Sequence, residues 1–231
     1  MLPIFKRWPP KDPTRIQLFS MNTPNGAKVS VALEELGLPY EPHTIDIRSG
    51  EQHTDEYLTL SPNGKIPALV DPNGPDGRII SIMESGAILI YLADKTGRLI
   101  PADPVERNEC LQWLCFQVGH IGPMFGQFGH FYKYAADTCL DPYPVERYTN
   151  ESRRLLGVLE KRLATRDYIL DGGYSIADIA TFPWVVCLRD FYKGSEQLGL
   201  DAFVRVNEWV TRCLERPAAG RGMQVCAPGE A

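Results

Sequence analysis

Apolar positions along this chain follow two rhythms, and the change from one to the other divides it. Before residue 97, short apolar runs alternate with helical stripes. Residues 15–19 and 68–70 read as strands, while Val29, Ala32, Leu33 and Leu36 repeat at i, i+3, i+4 and i+7, the spacing of one buried helix face. A second helix opens at Glu84-Ser85 and carries Ile88, Tyr91 and Leu92 on its inner side. Beyond residue 106 the helical period takes over. Leu111, Leu114, Cys115 and Val118 form one stripe, and Leu155, Leu159 and Leu163 form another after a helix start near Pro144. Ile176, Ile179, Ala180 and Pro183 form a third, behind Ser175-Ile176-Ala177-Asp178, which has the form of a capping box with Asp in place of Glu. Gly97 to Pro104 reads as a connector. The pattern predicts an extension at 1–14, an α/β domain at 15–97, a linker at 98–105 and an all-α domain at 106–231.

Three turns in the α/β part carry chemistry. Phe19 to Gly26 joins a strand to a helix through Ser20, Asn22, Thr23 and Asn25, so it aims backbone N–H groups and the positive end of a helix dipole at whatever lies above it. An anion suits that place, and a thiolate is one. As isolated residues, Thr23 and Asn25 would be ordinary turn or cap residues. Ser61-Pro62-Asn63-Gly64-Lys65-Ile66-Pro67 leads into an apolar strand. Its Ile66-Pro67 bond is a candidate cis peptide, which would leave the Ile66 N–H and C=O to pair with an extended peptide. At the third turn, Ser85 either caps its helix or donates to a bound carboxylate. Together these turns describe a receptor for a small, extended, thiol-bearing peptide. Glutathione has that form: Glu84 would take its ammonium, Ser85 its head carboxylate, the Ile66 backbone its cysteinyl unit, and Lys65 and Gln52 its tail, with Thr23 facing the sulfur.

The chain resembles the glutathione transferases, and in particular the bacterial Nu class. The resemblance rests on Thr23-Pro24-Asn25-Gly26, on Ser61 to Pro67 and on the Glu84 to Leu92 run. It continues through Leu111-Gln112-Trp113, Gln117-Val118-Gly119, Gly122-Pro123-Met124, Glu146-Arg147-Tyr148 and Tyr174 to Ile179, covering residues 15–222. It implies a thioredoxin-like N-terminal domain and an all-α C-terminal domain in a homodimer, with glutathione as cosubstrate, up to two molecules per site, and no metal. Thr23 and Asn25 become the thiolate-stabilising pair, with Ser20 a rival hydroxyl at the strand end. Gln52, Lys65, Ile66, Glu84 and Ser85 become the glutathione contacts, and Arg147 reaches bound glutathione across the dimer. The aromatic run beginning at Met124 supplies an acceptor pocket of Met124, Phe128, His130, Phe131 and Tyr132. Reduction of small disulfides is the activity this class suggests. Conjugation of small electrophiles, or a non-catalytic glutathione-binding interaction role, are the alternatives.

Composition narrows the field further. A net charge of −5 argues against a nucleic-acid partner. No apolar run is long enough for a bilayer, and the extension, with four prolines and scattered charges, lacks a signal-peptide core and reads as an extended arm, packed on a partner subunit or over the cleft. A cytoplasmic setting follows. All six cysteines lie at or beyond Cys110, none at the candidate turn, in no redox or zinc spacing. Cys110, Cys115 and Cys187 sit in apolar helical patterns and read as small buried hydrophobes. His43, His53 and His120 have no ligand or triad spacing.

Overall fold

A computed structural model describes residues 2–227, so the predicted domain limits at residues 1 and 231 lie outside what is described. The chain forms two compact units. One contains the chain up to Arg98 and again from Pro217; the other runs from Leu99 to Arg216.

The first unit is built on a four-stranded mixed sheet ordered β2-β1-β3-β4, with β1 at Ile16–Ser20, β2 at Tyr40–Thr44, β3 at Ala68–Asp71 and β4 at Ile80–Met83. β2 runs parallel to β1, while β3 is antiparallel to both β1 and β4. Helix α1 (Pro24–Leu36) follows β1 directly, the short α2 (Asp55–Leu58) precedes β3, and α3 (Ser85–Thr96) follows β4. The expected stripe of α1 is buried throughout, and Ile88 and Leu92 of α3 likewise. Tyr91 is turned to polar use, its hydroxyl donating to Asp71 at 2.6 Å. Both helices stop at a left-handed glycine, Gly37 and Gly97, which satisfies the last carbonyls.

Two features of this unit depart from the expected plan. The extension is neither extended nor reaching outward. Pro3–Lys6 forms a 3-10 turn whose Ile4 is fully buried in the core with Phe19, Ile45, Tyr57 and Val70. Apolar side chains at Ile4, Phe5 and Trp8 make burial against the unit's own sheet the favourable outcome. At the other end, α10 (Pro217–Gly222) leaves the helical unit and packs on α1. A Cβ on Gly222 would stand 2.5 Å from the Val31 Cα, so glycine is what lets the two backbones approach.

The second unit is all helical. Its elements are α4 (Pro104–Phe116), α5 (Gly122–Gly129), α6 (Pro142–Arg162), α7 (Ile176–Val186), α8 (Ser195–Leu198) and α9 (Val204–Leu214). π-helical turns at Gln117–Ile121, His130–Tyr134 and Cys187–Phe191 follow α4, α5 and α7. Helix α6 begins at Pro142 behind an Asp141 cap, two residues earlier than the pattern placed it. Leu155, Leu159 and Leu163 are buried as expected. Along α4 and the π-helical turn that follows it the buried set is Cys110, Leu114, Gln117 and Ile121, whereas Cys115 and Val118 are exposed.

Packing in this unit is tied down by one carboxylate. Asp178, fully buried, completes the capping box of α7. It accepts from the Ser175 N–H at 2.9 Å and hydroxyl at 3.1 Å, from the Ile169 N–H at 2.9 Å and from the Trp209 indole N–H at 2.9 Å. Three chain segments therefore meet on a single side chain. Asp178→Ala should destabilise the protein by about 3–5 kcal/mol, because buried donors would lose their acceptor together. Denaturant titration measures this, and a loss under 1 kcal/mol would show that the donors find other partners.

Candidate functional site

Strand register assembles the site. Ser20, at the end of β1, lies opposite Thr44 at the end of β2; Phe19 pairs with Ala68 at the start of β3, and Ala68 pairs with Met83 at the end of β4. The turns that follow β1, precede β3 and follow β4 therefore emerge side by side from one end of the sheet, and the segment after β2 leaves from the same end. This brings the Thr23 and Asn25 turn, the Lys65 and Ile66 turn and the Glu84 and Ser85 turn to the same end of the sheet, and Gln52 stands beside the second of them, its backbone carbonyl 3.4 Å from where a Cβ on Gly64 would lie.

At the first turn, Thr23 is the N-cap of α1. Its backbone is extended, and its hydroxyl oxygen accepts from the Gly26 N–H at 3.1 Å. Accepting there orients the hydroxyl and leaves its proton to donate outward. Asn25 lies in the first turn of the helix and, like Thr23, is partly exposed. Ser20 is placed differently: it is 2% exposed beneath the turn. A Cβ on Gly26 would stand 2.1 Å from the Met21 carbonyl and 2.5 Å from the Ser20 hydroxyl, so the turn closes tightly only with glycine. A C-terminal strap braces it from behind. The Asn22 N–H donates to the Cys226 carbonyl at 2.9 Å, the Asn22 side chain to the Met223 carbonyl at 3.0 Å, and Ser30 to the Gly222 carbonyl at 2.7 Å.

That strap revises one reading. Cys226 is distant in sequence yet packs beside the candidate turn. Burial raises its thiol pKa, against a hydrogen bond with Thr44, so its thiolate is disfavoured. Burial also raises Cys110 and Cys187, to about 11 and about 12, whereas Cys115 is exposed. All six cysteines are free.

The second turn has the cis Ile66-Pro67 bond. The Lys65 carbonyl is held by the Tyr57 and Ser61 hydroxyls, each at 2.9 Å, while the Lys65 side chain is exposed. Among the described residues, the Ile66 N–H and C=O have no hydrogen-bond partner. Gln52 donates to the Ile47 carbonyl at 3.3 Å, and its side-chain carbonyl oxygen is buried with no partner among the described residues.

The third turn is strained. Glu84 caps α3 with φ 68° and ψ 116°, a conformation that costs a non-glycine residue about 1–3 kcal/mol and that clusters at ligand clamps. Its carboxylate is exposed and makes no capping bond. Ser85 is the first residue of the helix rather than its cap, and is 8% exposed. Behind it stands a residue that sequence reasoning missed. Lys28 of α1 is 2% exposed and donates from Nζ to the Ser85 hydroxyl oxygen at 3.3 Å. Burial lowers its pKa to about 7, with the charge of Glu84 pulling the other way. The signal was its position as the lone charge within Ala27 to Leu33.

The remaining candidates belong to the second unit. Met124 and Arg147 line one groove of about 640 Å³ together with Tyr143, Tyr148, Glu151 and Arg154. Phe131 stacks on Tyr148 at 5.6 Å between centroids, and His130, exposed, meets Phe131 edge-on. Phe128 does not join them. It is fully buried, stacked on Tyr132 at 4.8 Å, so it supports the aromatic run from inside and presents no surface to a substrate. Among the described residues, no cluster of His, Cys, Asp and Glu could hold a metal ion, and no helix is long and apolar enough to cross a membrane.

Comparison with known proteins bears on this arrangement. Residues 23–95 match the N-terminal domain of the glutathione S-transferases and residues 145–217 their C-terminal domain. The disulfide-bond oxidoreductase YfcG of Escherichia coli is 43% identical over 209 residues, covering 90% of this chain and 94% of its own. YghU of the same organism, also named a disulfide-bond oxidoreductase, is 40% identical over 217 residues, covering 90% and 73%. A glutathione transferase from Burkholderia graminis, solved with two glutathione molecules bound per subunit, is 54% identical with a TM-score of 0.95, covering 96% of this chain and 93% of its own. One from Pseudomonas putida, solved with one glutathione disulfide per subunit, is 49% identical with the same TM-score and 96% coverage of both chains. With the sheet, the helical unit and both matched regions in agreement, the chain belongs to the glutathione transferase family.

Proposed function

We propose that this protein binds glutathione in extended form across the strand ends of its first unit and uses the bound thiolate to reduce small disulfides. The observation that carries this reading is the register that aligns the ends of all four strands. Adjacent strands lie about 4.8 Å apart, so the row spans about 14 Å. An extended tripeptide reaches about 10–11 Å, and the γ-linkage of glutathione lengthens it toward that span. Chemistry along the row follows the ligand in order. Glu84 takes the head ammonium, and Ser85 with the start of α3 takes the head carboxylate. The free N–H and C=O of Ile66 pair with the cysteinyl unit. Lys65 meets the tail carboxylate, and the partnerless oxygen of Gln52 suits the glycyl N–H.

Thr23 and Asn25 then hold the sulfur. A thiol of pKa about 8.5 is mostly protonated at neutral pH, and each unit of depression reflects about 1.4 kcal/mol of preferential stabilisation of the anion. The outward hydroxyl of Thr23 and the start of α1 supply that preference. Having lost its proton to solvent, the thiolate attacks one sulfur of the substrate, a new S–S bond forms, and the old one breaks to release the first product thiolate. A second glutathione thiolate attacks the mixed disulfide, releasing the second product and leaving glutathione disulfide. The ligands named for the two solved relatives, two glutathione molecules in one and glutathione disulfide in the other, are the two ends of such a cycle. A homodimer belongs to the same reading, with Arg147 serving glutathione in the partner subunit's site. So does a cytoplasmic setting, which accords with six free thiols.

If glutathione supplies the attacking sulfur, a variant with all six cysteines replaced by Ser or Ala should keep most of its disulfide reductase activity. Thr23→Ala should lose about tenfold or more in kcat/KM, with about 1 kcal/mol of stability lost with the cap, while Thr23→Ser restores both. Steady-state reduction of a small disulfide decides. Activity that disappears with the cysteines and survives Thr23→Ala would overturn the mechanism.

Lys65→Ala and Glu84→Ala should each weaken glutathione binding about ten- to a hundredfold, the usual loss for a charge-assisted hydrogen bond. Calorimetric titration with unchanged affinity in both would take these residues out of the site.

Sedimentation at micromolar concentration should give twice the chain mass. A strict monomer would remove the role assigned to Arg147.

A further inference from the structure

A charged amine inside a protein needs a reason, because removing an ammonium from water costs several kcal/mol unless anions or acceptors replace the solvent. Lys28 is such an amine. It sits on the inner side of α1, it is nearly inaccessible, and its Nζ reaches the Ser85 hydroxyl at the start of α3. The charged groups on the elements packed against α1 are Glu84 at the start of α3, Asp94 and Lys95 near its end, and Arg221 on α10. Arg221 is paired with Glu34 and Lys95 with Asp71. The charge of Glu84 acts on Lys28 and favours its protonated form.

We propose that Lys28 is a positioning residue for glutathione, acting through Ser85 and readable as a proton-linked step in binding, an inference that rests on the glutathione reading above. The argument turns on the direction of one hydrogen bond. An ammonium has donors and no lone pair, so when Lys28 is charged the Ser85 oxygen must accept and its O–H must point away, toward the ligand's head carboxylate. A neutral amine has a lone pair. It can take the Ser85 proton, turning the hydroxyl inward and leaving an oxygen lone pair facing the carboxylate. Charged Lys28 thus makes Ser85 a donor and adds a buried positive charge behind it. Neutral Lys28 reverses the first effect and removes the second. Glutathione therefore selects the protonated form.

The sign follows. In the free protein burial holds the Lys28 pKa at about 7, so about half is charged at pH 7 and about a tenth at pH 8. A ligand carboxylate raises it, so binding near pH 7 takes up a proton. If the protonated form alone binds, apparent affinity falls about fivefold between pH 7 and pH 8.

The test is calorimetric titration with S-methylglutathione, which has no thiol to ionise, from pH 6 to pH 7.5, where the ligand's head ammonium stays largely charged, in two buffers of different ionisation enthalpy. The unaltered protein should take up protons near pH 7 and bind more weakly as pH rises. Lys28→Met, which fills the same space without charge, should bind about tenfold more weakly at pH 6.5, with no proton uptake and a flat profile. A merely structural lysine would lower affinity without moving the profile. Binding by the unaltered protein with no proton uptake and pH-independent affinity would overturn the proposal, even if Lys28→Met fails to fold. Proton uptake that persists in Lys28→Met, or in Lys28→Gln, would overturn it as well. If the unaltered protein binds no S-methylglutathione at any pH, the glutathione reading itself fails, and this inference with it.

Discussion

The ladder from Phe19 through Ala68 to Met83 is the constraint on which the site depends. Side chains along a strand alternate between faces, so a slip of one residue would turn every inward side chain outward and offset each turn from its neighbours. Here the register is pinned by burial, since Phe19, Ala68, Leu69 and Val70 are closed off from solvent and have nowhere else to go. The polar groups at the strand ends inherit their alignment from this apolar pairing. Alignment in this unit is thus a by-product of core packing: the turns bearing Thr23, Ile66 and Glu84 need no contact with one another to stand in a row.

The two units use buried polarity in opposite ways. Asp178 is saturated, each of its oxygens meeting two donors, and it draws a loop, a helix start and a tryptophan into one arrangement. Such a network rigidifies and specifies. Among the described residues, the first unit leaves polar groups short of partners beside its strand ends, the Ile66 backbone and the Gln52 oxygen, and holds Glu84 there in a strained conformation. The strain at Glu84 sits between β4 and α3, both anchored by packing, which is how a costly backbone conformation persists.

Much of this was legible in the sequence. The stripe Val29-Ala32-Leu33-Leu36 and the Thr23 cap are local features, and local rules govern them. The cis Ile66-Pro67 bond was legible because proline alone makes that geometry inexpensive. The capping box was legible as a spacing. Other features depend on distant or atypical partners. The buried side of α4 continues into the π-helical turn through Gln117, a polar residue in a core position, so apolar periodicity selected Val118 instead and shifted the stripe by one. Phe128 was grouped with its aromatic neighbours, but the π-helical turn at His130–Tyr134 changes which residues share a face. A single lysine in a helix reads as surface, and nothing in the sequence places Ser85 next to Lys28. The return of α10 to α1 carries no local signal at all.

The strap behind Asn22 also sets an order of events during synthesis. Asn22 and Met223 are joined by a hydrogen bond across 201 positions of chain. At about 5–20 residues per second, the brace emerges from the ribosome about 10–40 s after the turn it supports. Through that interval the sheet can pair and α1 can dock, while the backbone of the Thr23 turn still lacks its support. The turn would thus be completed late, by a segment made about 200 residues after it.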